Sequence, residues 1–284
     1  MTANIESVEQ LNLSKGERDV FLIIREFLGR DGEQKQKCQD LLDRIRGLYI
    51  PDESEEQTEA TTWNLCSTVI EVAKRVPPDH DSQGILIQVL IGLNQDQKTR
   101  LGLKENIRED WKNLSTFTHC LRDQWVDPTD DEGELDPDAV LKWENMNSFA
   151  ARLMGTECVR WLPFPVWQVR LALECPEAEG MKLECRLWVA TEWLFHCGDQ
   201  IFQEMSSTEP VDENTARALK PGPLCLVSSP LSLERWEFWT QRLLEIGELT
   251  DKTSQQRNIS QRILETVERM RGFCNVDTID TERT

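Results

Sequence analysis

A chain of 284 residues with 39% hydrophobic and 29% charged residues can bury a core without staples and is too apolar for global disorder. Its formal charge is −19, and no Lys/Arg run offers the counterion-releasing surface that nucleic acid or an anionic membrane requires. The acidity is local: residues 51–60 carry five acids and residues 126–138 carry seven, with no base in either, and setting those twelve aside leaves −7 for the rest.

Period 3.6 dominates the chain and period 2 is scarce. Ser14 followed by Glu17 reads as a capping box opening a helix that buries Val20, Phe21, Ile24, Phe27 and Leu28 and ends at Gly29. A second helix presents Cys38, Leu41, Leu42, Ile45 and Leu48, closed by Pro51. A third runs from about Thr61, with Trp63, Cys66, Val69, Ile70 and Ala73, to Pro77 and Pro78. Ile85, Leu86, Val89, Leu90 and Leu93 mark a fourth. Residues 109–125 place Trp111, Leu114, Phe117, Leu121 and Trp125 on one side of a fifth.

The segment 126–138, with Pro128, Gly133 and Pro137, reads as a solvated loop. Helical periodicity resumes over 139–154, and Pro163 and Pro165 break the chain before a short helix through Trp167 and Leu171. The longest element spans about 181–205 and is apolar over an arc wide enough to need cover on most sides. A polar connection, with one helical turn, covers 206–223. Ser229 then caps a helix with Pro230 at its first position, carrying Leu233, Trp236, Trp239, Leu243 and Ile246. A final helix, capped by Thr253 with Gln256 three residues on, buries Ile259, Ile263, Val267 and Met270, and the last ten residues fray.

The expectation is an all-α protein of about ten or eleven helices, in a single helical-bundle or irregular solenoid-like domain. Residues 1–125 form an N-terminal helical subdomain, 126–138 an acidic linker loop and 139–284 a Trp-rich C-terminal subdomain. Nine Cys without a C-x-x-C, and a start with neither basic residues nor an apolar run, predict reduced thiols, no signal peptide and a cytoplasmic location. The 181–205 stretch is interrupted by Glu184, Arg186, Glu192 and Asp199, so no membrane span is expected.

Compact catalytic signatures are missing: the sequence has no phosphate loop, dinucleotide motif, Gly-x-Ser-x-Gly elbow or His-Glu-x-x-His, and no cofactor is expected. Glu192, His196 and Asp199 fall at i, i+4 and i+7 of one helix, a line that suits proton transfer or metal ligation; the plainer explanation is an exposed strip on a buried helix, and no metal is assigned. His119-Cys120 and His196-Cys197 are adjacent and so diverge by about 100° on a helix, which excludes a dyad within either pair. His80, between Asp79 and Asp81, sits at a helix start, where capping explains it.

Ten Trp against one Tyr is the compositional oddity, and seven of them lie beyond residue 126: Trp143, Trp161, Trp167, Trp188, Trp193, Trp236 and Trp239. Trp188, Trp193, Trp236 and Trp239 are candidates to line a cavity for an apolar ligand, with Arg235 or Arg242 meeting an anionic group. Core filling, with each Arg stacked on a ring or paired with Glu, is the alternative.

The stretches Trp143-Glu-Asn-Met-Asn-Ser-Phe-Ala-Ala-Arg-Leu153, Arg170-Leu-Ala-Leu-Glu174, Leu187-Trp-Val-Ala-Thr-Glu-Trp193, Gly222-Pro-Leu and Leu233-Glu-Arg-Trp-Glu-Phe-Trp239 give the chain a pattern that resembles a fungal family known only as a domain of unknown function. The resemblance spans nearly the whole chain and is specific mainly from residue 143 onward. It implies an association of some members with secondary-metabolite gene clusters, those for polyketide–amino acid hybrids (oxopyrrolidines) among them, and carries over no functional residue. The expected role is an accessory protein or small enzyme of fungal secondary metabolism that holds an apolar intermediate in a Trp-lined cavity, partnered by that small molecule or by a biosynthetic protein. The rival is a non-enzymatic helical interaction module whose acidic loops meet a basic partner.

Overall fold

The computed structural model describes residues 3–50, 53–95, 105–130, 133–176, 178–250 and 259–281. The protein is all-α: twelve α-helices and two short 3-10 turns, with no strand among the described residues. Two compact units divide the chain, one of residues 1–130 and 136–159, the other of 131–135 and 160–284.

The first unit holds α1 (Lys15–Leu28), α2 (Gln34–Arg46), α3 (Glu55–Ala73), α4 (Asp81–Gln95), α5 (Glu105–Asn113), α6 (Ser115–Asp123) and α7 (Pro137–Met154). Helix α1 packs on α2 and α3, α4 on α2, α6 on α3, and α7 on both α3 and α4. Ser14 and Glu17 form the expected capping box, and Gly29 closes α1. The apolar stripe of α1 is buried, each large side chain contributing about 1.5–3 kcal/mol.

Several boundaries differ from the sequence reading, each for a local reason. Helix α2 ends at Arg46 with Gly47 as its cap, before Pro51 is reached. Helix α3 starts at Glu55, six residues earlier than the apolar pattern indicates, because Ser54 and Gln57 make a second capping box. Much of the acidic stretch 51–60 is therefore its first turns, and Glu55 and Glu56 sit where the helix dipole favours negative charge. The helix expected over 109–125 is two helices, broken at Leu114, whose φ of 48° is left-handed. That conformation costs a Leu about 1–2 kcal/mol; its side chain is wholly buried, which offsets the strain. His80 is itself the cap of α4, its Nδ1 accepting from the Ser82 N–H at 3.2 Å.

The second unit holds α8 (Pro163–Leu173), α9 (Gly180–Ser206), α10 (Glu213–Ala218), α11 (Leu233–Thr250) and α12 (Ile259–Thr281). Helix α9 packs against α8, α11 and α12, and so is covered on several sides as its wide apolar arc requires. Pro163 and Pro165 lie inside the first turn of α8, where no intrahelical N–H is needed, rather than ahead of the helix. Helix α11 begins three residues after Pro230: Ser232 Oγ accepts from the Arg235 N–H at 3.3 Å, while Ser229 Oγ donates to the Leu231 carbonyl. The expected cap at Thr253 and Gln256 falls outside the described residues, and α12 continues to Thr281 instead of fraying after 274. Helix α9 is kinked at Cys197 (φ −135°, ψ 25°), whose thiol donates to the Trp193 carbonyl.

The described cysteines are all free. Burial pushes the Cys120 thiol up to about 12 and raises Cys66 and Cys197 further. A raised pKa keeps these thiols neutral and non-nucleophilic at pH 8. Peptide mapping after treatment of the native protein with a thiol reagent at that pH is expected to find Cys66, Cys120 and Cys197 unmodified, and half-buried Cys38, Cys158 and Cys175 labelled before them.

Candidate functional site

Arg235, which the sequence marks as a ligand contact, is fully buried and engaged with Glu174 at the C-terminal end of α8. Arg235 Nε donates to Glu174 Oε1 at 2.6 Å and Nη2 to Oε2 at 3.0 Å. The Trp239 indole N–H donates to Oε1 at 2.6 Å and the Gly222 N–H to Oε2 at 2.5 Å, so four donors meet one carboxylate. Arg235 Nη1 donates to the carbonyls of Leu219 (2.6 Å) and Pro230. The pair thus ties the 219–230 segment, at Leu219, Gly222 and Pro230, to α8 and α11. Gly222 is required here: a Cβ would come within 2.7 Å of the Glu174 carbonyl oxygen and Cβ. Trp167 and Arg170 extend the seam, donating to the carbonyls of Ala218 (2.9 Å) and Lys220 (3.0 Å).

Trp239 and Trp236 lie 6.2 Å apart, and Trp236 also meets Phe202 (5.3 Å) and Phe273 (6.3 Å). Both indoles are buried, and this aromatic cluster fills its own space. Gly198, next to the Cys197 kink, lets α9 approach it: a Cβ there would stand 3.0 Å from Phe273. The seven C-terminal indoles do not form one group. Trp143 belongs to the first unit and packs edge-on against Trp125 at 4.9 Å, and Trp161 and Trp167 flank Phe164. Arg242 is engaged with Glu245 at 3.2 Å.

A second polar group surrounds Glu192, which is buried on α9. His196 Nε2 stands 3.2 Å from Oε1, and Arg262 of α12 pairs with Oε2. Arg262 also donates to Thr191 Oγ1 at 2.8 Å and lies 4.8 Å from the ring centre of half-buried Trp188. Trp193, one residue along from Glu192, points into the core with no exposure. Glu192 and His196 therefore meet as their spacing indicates, whereas Asp199 is not part of the group. Among the described residues no three His, Cys, Asp or Glu side chains are placed to hold a metal. The sequence reading missed Arg262, Thr191 and Glu174. Glu174 was discoverable: an acid straight after Leu171-Ala-Leu at a helix end must be paired if it is buried.

An open cavity of about 500 Å³ lies in the second unit, between the end of α9, α10 and the 229–231 segment. No indole lines it. Its apolar wall includes Leu162, Val211, Ala216, Pro230 and Leu231, and an Arg160–Glu204 ion pair crosses its edge. Asp212 caps α10, and hydrogen bonds from the Thr215 hydroxyl and N–H hold its carboxyl below the usual range. Pro230 joins cavity and core, since it walls the one and accepts from Arg235 in the other.

These features define an all-α protein whose second unit is organised by one buried ion pair and an aromatic cluster. The family described as "Protein of unknown function (DUF3632)" matches residues 66–243, and the chain belongs to that family. No curated protein and no solved structure matches the chain. Among the described residues no helix is long and apolar enough to cross a membrane.

Proposed function

We propose that the protein is an accessory protein or small enzyme of fungal secondary-metabolite biosynthesis that holds a largely apolar intermediate in the cavity of its second unit. The observation that carries this reading is the coupling at Pro230: a cavity of about 500 Å³, within the size range of small-molecule sites, has a wall fixed by the Glu174–Arg235 pair. A wall fixed in advance lowers the entropy cost of binding. The indoles act behind that wall as a rigid backing, and the ligand touches Leu162, Val211, Ala216 and Leu231, with the Arg160–Glu204 pair meeting its polar end. Free thiols throughout the described cysteines support a reducing, cytoplasmic setting.

Metabolite profiling of a strain lacking this gene tests the reading. One small molecule is expected to vanish or accumulate, and the wild-type gene restores it. The Ala216→Trp variant, which fills the cavity from half-exposed α10, is expected to fold normally and to fail in restoring it. An unchanged profile, accompanied by loss of a captured protein, would replace this reading with the helical interaction module.

A further inference from the structure

The first unit has a cavity of its own, of about 430 Å³, between the N-terminal segment, the end of α3 and the first turns of α7. Two groups in its wall are left without protein partners, and they are of opposite kinds. Asn145 is buried, at 1% exposure; its Nδ2 donates to the Lys74 carbonyl at 2.9 Å, which fixes the amide orientation and leaves Oδ1 with no donor. Arg75 uses Nε on Ser7 Oγ (2.9 Å) and Nη1 on the carbonyl and carboxylate of Glu71 (2.7 and 2.6 Å), while Nη2 has no hydrogen-bond partner among the described residues. A buried acceptor lacking its hydrogen bond costs about 1–3 kcal/mol, and such an atom in a cavity wall calls for an occupant.

The charges agree. Although the chain carries −19, the described residues of the cavity wall present Lys74, Arg75 and Lys142 against Asp138. Lys142 pairs with Asp138 at 2.5 Å. Behind the wall, burial alone would raise the Glu71 carboxyl, but Lys74 and Arg75 outweigh it and hold the group below its usual range, so Glu71 balances one further cation. One positive charge remains beside the cavity. Leu11, Pro77 and Leu141 supply apolar surface between the polar groups.

We infer that this cavity is a binding site for a small carboxylate bearing an adjacent N–H or O–H donor, a hydroxy acid or an amino acid. The carboxylate accepts from Arg75 Nη2, and the neighbouring hydroxyl or ammonium donates to Asn145 Oδ1. Both residues line the same cavity, and Asn145 is anchored on the carbonyl of the residue preceding Arg75.

Calorimetric titration of the full chain with acetate, L-lactate and glycine tests this. Lactate or glycine is expected to bind, and which of them does so identifies the donor as hydroxyl or ammonium. Acetate, which has neither, is expected to bind at least about tenfold more weakly. Leu141→Trp, which fills the cavity without touching the polar groups, is expected to abolish binding, and Lys142→Glu to weaken it; the second variant serves if the first does not fold. Acetate binding as tightly as the others, both variants binding like wild type, or no heat from any probe at about 10 mM would overturn the inference.

Discussion

Replacing Glu174 with Ala is expected to lower the stability of the second unit by about 3–5 kcal/mol, because it leaves Arg235 charged and unpaired inside the core. The loss is larger than for an exposed ion pair, worth about 0–1 kcal/mol, since both partners have no exposed side-chain surface. It also strips the Trp239 and Gly222 N–H groups of their acceptor. Urea denaturation followed by far-UV circular dichroism measures it as a fall in midpoint at nearly constant slope. The double replacement Glu174→Leu with Arg235→Met is expected to cost clearly less than the two single changes added together, because an apolar pair leaves no orphaned charge. A single-variant loss under about 1 kcal/mol would show that water reaches the carboxylate and that the pair is not the bolt of this unit. Pro230 carries the effect to the cavity: once Arg235 is released, the segment between Leu219 and Pro230 loosens, and the cavity wall goes with it.

The helical class and the α1 capping box were legible in the sequence because both depend on near neighbours: a 3.6-residue stripe and a Ser–Glu pair three apart need nothing from the rest of the chain. The start of α3 was equally local, but its Ser54–Gln57 box lay in an acidic stretch without a large apolar residue, so composition obscured it. The break at Leu114 was not legible, since a Leu takes a left-handed conformation only where tertiary packing imposes it. In the site, Glu192 and His196 share a helix face and could be paired on paper. The partners of Arg235 and Arg262 could not, being 61 and 71 positions away in the chain. Arg235 was singled out as a cation among indoles, and the structure places it there; the carboxylate that makes it a structural residue comes from another helix. Three of the segments that carry the family resemblance, 170–174, 222–224 and 233–239, converge on that carboxylate.

Two substitutions of identical chemistry are expected to differ because the two central indoles have different hydrogen bonding. Trp239 donates to Glu174, whereas Trp236 Nε1 is buried with no partner. Trp239→Phe therefore removes a hydrogen bond to a charged group, worth about 1.5–3 kcal/mol, in addition to the volume lost from the core. Trp236→Phe loses similar volume but also relieves a buried, unsatisfied N–H, whose presence costs about 1–3 kcal/mol. Trp239→Phe is accordingly expected to be the more destabilising by about 2 kcal/mol or more, measured by urea midpoints under the same conditions. Truncation of Trp236 to Ala is a separate matter: it opens a cavity among Phe202, Phe273 and Trp239 and is expected to cost about 3–5 kcal/mol. If the two Phe variants proved equally stable, the Glu174 carboxylate would not be drawing on Trp239, and the aromatic cluster would be filler independent of the ion pair. The expected inequality ties them into one unit, in which the indole that meets the carboxylate transmits the packing of the α9 kink region to the segment walling the cavity.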